Sequence, residues 1–479
     1  MASSPVSKHR PASASGGTSG QVPDLVTAPP TDETAPPADG GLRRAVGRKM
    51  LLLFVLGDIL GAGIYSLTGR VAGEVGGAIW LPFLVAFLLA GCSAASYAEL
   101  VGRYPQAAGA ALYTNKAFNV PFLTFVVAFA VLCSGITSAS AAARAFGGDY
   151  LAEFIALPTP LVAVGFVLML AAINARGISE SVKVNVALTL VEFTGLAVIV
   201  VIGVFTLLTG GGNPGRALEL DTSGAAVLGI MGGAALAFYA LLGFEDSVNI
   251  AEEAKEPHRD FPLALFGGLG VACVVYLIVA FTTAMLVPVD VLAESSGPLL
   301  EVVRAAGFSF PPKLFALIAL IAVTNTALLN MIMASRLVYG MARVGVVPSV
   351  LGKVSPRRGT PWVAIAFTTG LAILLVLTGD LSDLASTTVL LLLGVFTVTN
   401  ICVLVLRRDS STPTHFRAPT VFPVLGAVGS LLLISPLSGR EVEVYARGGG
   451  LLVIGAALWL VVHLVRRARG DHSRPGVPA

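Results

Sequence analysis

Residues 57–65, which read GDILGAGIY, interrupt an apolar segment that is otherwise long enough to cross a membrane. A helix of about 20 apolar residues crosses the roughly 30 Å hydrocarbon core of a bilayer. Each glycine lowers helix propensity by about 1 kcal/mol relative to alanine, and an acidic residue inside a span is costly. Residues 238–246, which read FYALLGFED, show the same combination within a second apolar segment. Both stretches therefore predict a helix that breaks inside a membrane.

The composition of the whole chain is typical of an integral membrane protein. Of its 479 residues, 55% are hydrophobic and 12% are charged, whereas soluble domains carry about 25% charged residues. The net charge of +3 gives no sign of a nucleic-acid partner. The four cysteines lie singly in apolar segments without CxxC spacing. We therefore expect neither a disulfide nor a metal site.

Twelve apolar segments follow a polar N-terminal stretch, and we number them as spans 1 to 12. All should be helices, because a single-chain span must satisfy its own backbone hydrogen bonds in lipid. The alternating pattern of a membrane β-barrel is not seen. The predicted limits are about 48–69, 78–101, 121–145, 160–175, 182–209, 225–251, 262–287, 312–340, 361–378, 384–406, 419–437 and 449–465.

The chain divides into two tails, a core of ten helices and two further helices. Residues 1–46 are rich in Pro, Ser, Thr, Gly and Ala, so we expect a disordered tail. With a cytoplasmic N-terminus, 24 of the 31 Lys and Arg residues fall in cytoplasmic segments. The positive-inside rule therefore places both termini in the cytoplasm. The expected parts are the tail 1–46, the core 47–406 with halves 47–209 and 225–406, two helices within 407–465, and the tail 466–479.

The two interrupted segments occupy corresponding positions, because spans 1 and 6 each open a half of five spans. Paired interruptions of this kind are the best sequence pointer to a transporter's binding site at the bilayer midplane. A broken helix leaves N–H groups that attract an anion and C=O groups that attract a cation. An amino acid zwitterion carries both charges. The alternative is that the glycines only permit close helix packing, as the GxxxG spacing of Gly57 and Gly61 allows.

Several motifs, taken in order, resemble the amino acid–polyamine–organocation (APC) superfamily. The break at 61–64 (GAGI) resembles the one in that family's first span, and residues 97–100 (YAEL) with 104–113 (YPQAAGAALY) resemble its signature after span 2. Residues 243–262 at the span 6–7 junction and 334–361 at the span 8–9 junction are also similar to the family. The resemblance implies an amino acid permease with a LeuT-type fold, in which two inverted five-helix repeats are followed by two further helices.

The resemblance also implies where a substrate would bind. Carried over by position, the substrate carboxylate would meet backbone N–H groups at the span 1 break, and the ammonium group would meet carbonyls at the span 6 break. Two of the residues, Ile64 and Phe244, would be apolar walls. The full set is Ala62, Gly63, Ile64, Tyr239, Ala240, Leu242 and Phe244.

Two acidic residues depart from the family and bear on the coupling ion. Several proton-coupled relatives carry a lysine on span 5, and the matching position here is Glu192. We expect its carboxylate either to carry a proton or to hold a sodium ion with Thr324 and Asn325 of span 8. A purely structural hydrogen bond to a neighbouring helix is the third interpretation. Asp58, where the family has a small residue or Asn, is expected to contact the substrate amine or to titrate.

Three further charged residues are candidates for a gate or for support of the site. Glu245 lies in the span 6 break. Glu99 ends span 2 and Arg103 follows one turn later, so the two are placed to form an ion pair. Solvated helix-end charges are the alternative for Glu99 and Arg103.

The leading hypothesis is a secondary active permease of the cell membrane that takes up amino acids with protons by alternating access. An exchanger of amino acids or polyamines and a sodium-coupled symporter are the alternatives. A transporter-like sensor fits less well, because the tails contain no signalling domain. An intramembrane enzyme also fits less well, because the five histidines lie in tails, loops or helix ends. No GxxxxGK[ST] loop for ATP is present, so no cofactor is expected beyond a proton or sodium gradient.

The charge of the substrate depends on the acidic residues near the breaks. If Asp58, Glu192 and Glu245 are ionised and face the site, they favour a cationic amino acid or a polyamine. If they titrate, they favour a neutral amino acid with proton coupling, which we expect because the carboxylate-binding break is intact. We expect the bilayer and the amino acid to be the partners, with no nucleic acid and no obligate protein partner.

Overall fold

The apolar segments fold as helices, which confirms an all-α membrane protein. The computed structural model describes residues 46–106, 109–176, 182–221, 226–307, 310–356, 358–408 and 416–468, without the side chains of 182–186, 249, 252 and 468. Within these ranges the extended backbone is limited to isolated bridges, and no strand forms. Helices prevail because lipid offers the backbone no hydrogen-bond partner.

The helices follow the predicted spans in order, and spans 1 and 6 are each divided. Span 1 consists of Arg48–Ile59 and Ala62–Val75, and span 6 of Ala226–Ala237 with the 3₁₀ segments Phe238–Leu241 and Asp246–Glu253. The others are Trp80–Arg103, Pro121–Phe146, Thr159–Ala175, Val182–Leu208, Pro257–Leu286, Pro312–Arg343, Trp362–Thr378, Leu381–Leu406, Val421–Ile434 and Val442–Ala468.

Three predicted limits differ from the helix ends by more than a few residues. Span 7 begins at Pro257 rather than 262, because proline is tolerated at the first helical position. Span 12 begins at Val442 rather than 449, since its glycine-rich start is kept helical by packing such as that of Gly448 near Leu390. Span 1 ends at Val75 rather than 69, because Val71, Ala72 and Val75 stay buried in the bundle beyond the predicted end.

The count of twelve membrane crossings stays a prediction. Eight described helices are long and apolar enough to cross a bilayer, and the bent pair that forms span 1 makes a ninth. Three shorter apolar helices, Thr159–Ala175, Trp362–Thr378 and Val421–Ile434, form spans 4, 9 and 11. At 1.5 Å per residue, the 17 residues of spans 4 and 9 are about 26 Å long. The multi-pass membrane architecture follows from these helices together.

Each of the main contacts between a span of the first half and a span of the second half has a counterpart, in which each of the two spans is replaced by the span at the same position in the other half. Span 1 packs against span 7, and span 6 packs against span 2. Span 3 packs against span 10, and span 8 packs against span 5. Spans 11 and 12 pack on the outside, against spans 2, 3 and 10. Two structural repeats produce such pairing, and the assignment of two inverted repeats stays a prediction.

The short helices in the loops after spans 2 and 7 show the same correspondence between the two halves. Two short helices after span 7, Val289–Glu294 and Pro298–Ala305, pack against the second half of span 1. A helix after span 2, Gly109–Phe118, packs against the second half of span 6. Each broken span is therefore covered by a loop helix from the other half.

The predicted tails differ slightly from what the structure describes. Val46, the last residue of the tail 1–46, donates its N–H to the Glu253 carbonyl (2.9 Å) and accepts from the Lys255 N–H (3.0 Å). The last helix continues to Ala468, into the tail 466–479. Residues 1–45 and 469–479, together with motif residues 107–108 and the loop 178–181, lie outside the described residues.

Candidate functional site

Span 1 breaks between Ile59 and Ala62, where its two helices meet at an angle of 40°. Gly61 is extended there, with φ −77° and ψ −160°. The first N–H groups of a helix have no partner within that helix. One of them, on Ala62, donates to the hydroxyl of Thr326 on span 8 (3.0 Å). The predicted break is therefore present, and a side chain from span 8 occupies one of its free donors.

Span 6 breaks at residues 242–245, between its two 3₁₀ segments. Gly243 has φ +118°, a backbone conformation that side chains other than glycine rarely adopt. Its N–H donates to the carboxylate of Glu245 (2.9 Å). Glu245 thus satisfies a backbone group that the break would otherwise leave unpaired.

The two breaks lie against each other, and their glycines are needed for that contact. A Cβ atom on Gly63 would lie 2.5 Å from the Ala240 Cα, and one on Gly243 would meet the Asp58 carbonyl oxygen. A Cβ atom on Gly57 would likewise collide with the side chain of Thr189 on span 5. Close packing, the alternative interpretation of these glycines, is therefore part of their role. On its Cβ side, Gly63 meets the backbone of span 6 rather than open space for a ligand.

A narrow cavity of about 60 Å³ lies beside the breaks, with room for a few water molecules. Spans 3, 8 and 10 complete its wall. Ser138 of span 3 lies within 3.2 Å of the Tyr239 hydroxyl, which ties this wall to the span 6 break. The substrate residues predicted from the sequence that line the cavity are Ala62, Gly63, Tyr239, Ala240 and Leu242.

The other two predicted substrate residues do not line this cavity. Ile64 is completely buried. Phe244 packs against Tyr97 and Phe396, with ring centroids 6.0 Å and 5.3 Å away. Both side chains are fully buried, and neither lines the cavity. Their expected role as apolar walls of a substrate site stays a prediction.

The cavity extends toward the face of the molecule at which span 1 begins, which we call the Arg48 face. Spans 2 and 10 end at this same face, where Arg103 donates to the Leu406 carbonyl (2.7 Å). On span 8 the cavity lining runs from Asn325 to Leu337, about three turns toward the helix end at Arg343. The path from the breaks therefore points to the Arg48 face.

The opposite face, at which span 1 ends with Val75, is closed over the breaks. The Asp149 carboxylate, after span 3, accepts from the Ser295 hydroxyl (2.8 Å) and from the N–H groups of Ser296 (2.8 Å) and Gly297 (3.1 Å). Arg70 of span 1 donates to the Ala293 carbonyl (2.9 Å). The segment 289–297 is thus fastened to both span 1 and span 3.

Three acidic side chains line the cavity, and sequence reasoning identified two of them. Asp58 and Glu245 were predicted at the site, and Asp246 was not. Asp246 begins the second 3₁₀ segment of span 6, where the dipole of the helical turn favours a negative charge. The signal that could have found it is the acidic pair Glu245-Asp246 inside an apolar span.

Glu192 lies behind the cavity wall and is linked to it through Asn325. Glu192 is completely buried, and its Oε1 accepts from the Asn325 side-chain amide (3.0 Å). Its neighbours include Tyr65, whose hydroxyl donates to the Glu192 carbonyl (2.5 Å). The Glu192 Oε2 and the Asn325 Oδ1 are both buried without a hydrogen-bond partner among the described residues.

Thr324, the other predicted partner of Glu192, does not line the cavity. Its hydroxyl donates to the Leu320 carbonyl of its own helix (2.7 Å). Thr326, two residues later, lines the cavity and holds Ala62. Two residues correspond to about 200° around a helix with 3.6 residues per turn, so the sequence could not distinguish the two hydroxyls without knowing the rotation of span 8.

Glu99 forms the predicted ion pair, but its main partner is Arg407 rather than Arg103. The Glu99 carboxylate is buried and accepts from two nitrogens of Arg407 (2.9 Å and 2.6 Å) and from the Ala418 N–H (2.9 Å). Arg103 lies 3.9 Å from the carboxylate. These hydrogen bonds to Glu99 raise the pKa of Arg407 above its ordinary value. The cluster joins span 2 to the end of span 10 and the start of span 11, away from the cavity.

Comparisons with known proteins agree with this architecture. The family model described as "Amino acid permease" matches residues 47–445. An uncharacterized transporter of Mycobacterium tuberculosis is 28% identical over 445 residues, which cover 91% of this chain and 97% of the relative. A branched-chain amino acid permease of Bacillus subtilis is 27% identical, over 88% of this chain and 92% of its own length.

A plant relative matches over a smaller part of both chains. The chloroplastic cationic amino acid transporter 9 of Arabidopsis thaliana is 29% identical over 352 residues, which cover 68% of this chain and 60% of the relative. These comparisons indicate a transporter rather than an enzyme. The match of the family model spans both helix breaks and the cavity between them, and the chain belongs to the amino acid permease family of the APC superfamily.

Proposed function

We propose that this chain is a secondary active permease that takes up amino acids across the cell membrane by alternating access. The observation that carries the proposal is the meeting of two helix breaks at one cavity. The breaks present backbone donors from span 1 and backbone acceptors from span 6, the two kinds of group that a zwitterion requires. We assign the Arg48 face to the cytoplasm, in keeping with the excess of Lys and Arg in the segments that lie there.

With this orientation the structure corresponds to an inward-facing state. The cavity leads to the Arg48 face, and the segment 289–297 closes the other side. Alternating access then requires the bonds of Asp149 to Ser295, Ser296 and Gly297 to open when the site turns outward. The tight contact between Gly69 and the Leu292 carbonyl would have to separate in the same step.

The coupling ion in this proposal is a proton carried by Glu192. Two buried acceptor oxygens, Glu192 Oε2 and Asn325 Oδ1, have no partner among the described residues. A proton on the carboxylate would supply the missing donor. The neighbouring hydroxyls already serve other groups, since Tyr65 donates to the Glu192 carbonyl and Tyr276 to the Ile59 carbonyl (2.8 Å). Asn325 lines the cavity and thereby connects Glu192 to the substrate.

Counterflow and uptake in proteoliposomes test the function itself. Vesicles loaded with unlabelled amino acids should accumulate labelled amino acid, and an inward proton gradient should drive net uptake against a concentration gradient. Failure of every amino acid to exchange would contradict the proposal. Uptake that follows a sodium gradient at fixed pH would replace the proton by sodium. Exchange that responds to neither gradient would identify an exchanger.

Glu192→Gln should abolish proton-driven accumulation and retain counterflow. The glutamine side-chain oxygen can still accept from Asn325, so the cavity wall should stay formed, but it cannot take up a proton. Glu441→Gln, a change at an exposed position outside the spans, is the matched control and should behave as wild type. If Glu192→Gln still concentrates substrate in response to the pH gradient, another group carries the proton, and Asp58→Asn is the next variant to measure.

A further inference from the structure

A groove of about 390 Å³ lies on the surface of the helix bundle, between the C-terminal halves of spans 5 and 7. Its walls are mostly apolar side chains, among them Leu207 and Ile278, which are 50% and 40% exposed. The groove shares no residue with the cavity at the breaks. Because the bundle crosses a membrane, the groove faces the lipids of the bilayer.

A threonine hydroxyl lies in this apolar groove beside a glycine. A Cβ atom on Gly203 of span 5 would collide with the hydroxyl oxygen of Thr282 on span 7. Thr282 is 3% exposed, and its hydroxyl has no hydrogen-bond partner among the described residues. The next residue, Thr283, instead donates to the Val279 carbonyl of its own helix (2.8 Å). An unpaired hydroxyl in an apolar environment costs free energy, so Thr282 offers the groove a donor that lacks an acceptor.

The hydroxyl lies near the level at which a phospholipid carries its ester carbonyls. Span 7 has 30 residues, so it is about 45 Å long, the thickness of a bilayer with its headgroups. Thr282 lies four residues, or about 6 Å, before the end of span 7 at Leu286. It is therefore about 16 Å from the bilayer midplane, at the edge of the hydrocarbon core. Trp80, which also lines the groove, is a residue type enriched at this level.

A basic residue lies at the headgroup side of the groove. The indole N–H of Trp80 donates to the Ala217 carbonyl (3.0 Å), which holds the 3₁₀ segment Arg216–Leu218 beside the groove. The same segment packs against span 7. The guanidinium of Arg216 forms no hydrogen bond or ion pair with any residue that the structure describes. It is therefore available to an anion from outside the protein.

These two polar groups distinguish the groove from ordinary lipid contact. Lipid tails are as apolar as leucine, so an acyl chain gains no hydrophobic free energy by entering the groove. A preference for one lipid must therefore come from packing and from polar contacts. The Thr282 hydroxyl suits an ester carbonyl, and the Arg216 guanidinium suits a phosphate. A helix of another protein would match less well, because its carbonyls are bonded within the helix.

We propose that the groove binds one phospholipid of the leaflet on the side opposite the Arg48 face, with an acyl chain lying between spans 5 and 7. Thr282 donates to an ester carbonyl of this lipid, and Arg216 pairs with its phosphate. The lipid site is distinct from the proposed substrate site, and its test does not depend on transport.

Native mass spectrometry of the purified protein in a mild detergent, titrated with dioleoyl phosphatidylglycerol, tests the site. Wild type should retain one tightly bound phospholipid. Thr282→Val, which keeps the shape of the side chain, should weaken the binding of this lipid about fivefold, the loss expected for one hydrogen bond. Arg216→Gln should weaken it about tenfold or more, because a hydrogen bond to a charged group contributes more.

Thr209→Val and Lys313→Gln are the matched controls. Thr209 is an exposed threonine after span 5 whose hydroxyl donates to the Phe205 carbonyl (3.0 Å). Lys313 is an exposed lysine at the start of span 8, on the same face as Arg216. Neither residue lines the groove, and both variants should bind the lipid as wild type does.

A phospholipid with a photoreactive group near its ester provides the second measurement. In vesicles it should crosslink to spans 5 and 7 of wild type, and less to Thr282→Val. Crosslinks spread evenly around the bundle, or unchanged lipid affinity in either folded variant, would overturn the site. Stronger binding of cholesterol than of the phospholipid would overturn the class of ligand. Arg216 lies in a loop, so Arg216→Gln tests the site even if Thr282→Val fails to fold.

Discussion

At the scale of single residues, the glycines of the two breaks act in pairs. Gly63 allows span 1 to approach Ala240 of span 6, and Gly243 allows span 6 to approach the Asp58 carbonyl. Each glycine thus removes a side chain where backbone must meet backbone. The backbone groups at the breaks, which we propose bind the substrate, depend on this contact. The contact holds the two halves of each broken helix at the angle that leaves the backbone at the break uncovered.

Gly63→Leu should destabilise the protein as well as abolish substrate binding. Overpacking a well-packed site costs about 1–3 kcal/mol or more, and here the new side chain would meet the Ala240 backbone. Gly91→Leu is the control, since a Cβ at Gly91 of span 2 meets nothing within 4 Å. Thermal unfolding in detergent together with a ligand-binding assay checks this. A Gly63→Leu protein that melts as wild type but binds no ligand would show that the position only provides space for the substrate.

At the scale of elements, the start of span 1 is tied to the junction of spans 6 and 7. Val46 exchanges backbone hydrogen bonds with Glu253 and Lys255, and Arg48 forms an ion pair with Asp260 (2.7 Å). On the opposite face, the segment 289–297 is tied to span 3 through Asp149. The first set of bonds joins span 1 to spans 6 and 7, whereas the second set joins the segment after span 7 to span 3. If the site changes sides as we propose, we expect the second set of bonds to break and the first set to stay intact.

A disulfide between Val46→Cys and Ala254→Cys should therefore leave transport intact. The two residues form a bridge, so their backbones are close enough for a disulfide. The control pair Gly148→Cys and Ser296→Cys, where a Cβ at Gly148 would lie 2.9 Å from the Ser296 Cβ, should block uptake until reduced. Both are made in a background without the four native cysteines. Reversible inhibition by the Val46–Ala254 disulfide would mean that span 1 moves apart from span 6.

At the scale of the whole molecule, the cavity extends toward the Arg48 face, whereas the opposite face, at which span 1 ends, is closed over the breaks. If the two halves are inverted repeats, as we predict, the paired contacts would allow a second arrangement in which the face at the end of span 1 is open instead. The side of the membrane that the cavity faces depends on the orientation of the protein. The distribution of Lys and Arg predicts that orientation.

Reporter fusions check that orientation. A fusion after residue 215, between spans 5 and 6, should report the outside of the cell. A fusion after residue 350, between spans 8 and 9, should report the cytoplasm, because the last turns of span 8 and the connecting segment together carry five Lys and Arg residues. The opposite pattern, or the same signal from both positions, would contradict the topology of twelve spans with both termini inside.

The sequence by itself determined the features that depend on local composition. The helices follow from apolar length, and the breaks from glycines and acidic residues placed inside those lengths, so the breaks and most helix limits could be located within a few residues. Asp58, Glu245 and five of the predicted substrate residues line the cavity, because the cavity lies where the two breaks meet.

Only the tertiary structure decided which groups meet. Thr326 rather than Thr324 faces span 1, Arg407 rather than Arg103 is the main partner of Glu99, and Asp246 lines the cavity. Phe244 and Ile64 are fully buried and do not line the cavity. Each outcome depends on the rotation of one helix against another that is distant in sequence. That rotation is set by side-chain packing summed over the whole bundle, which no local pattern of residues records.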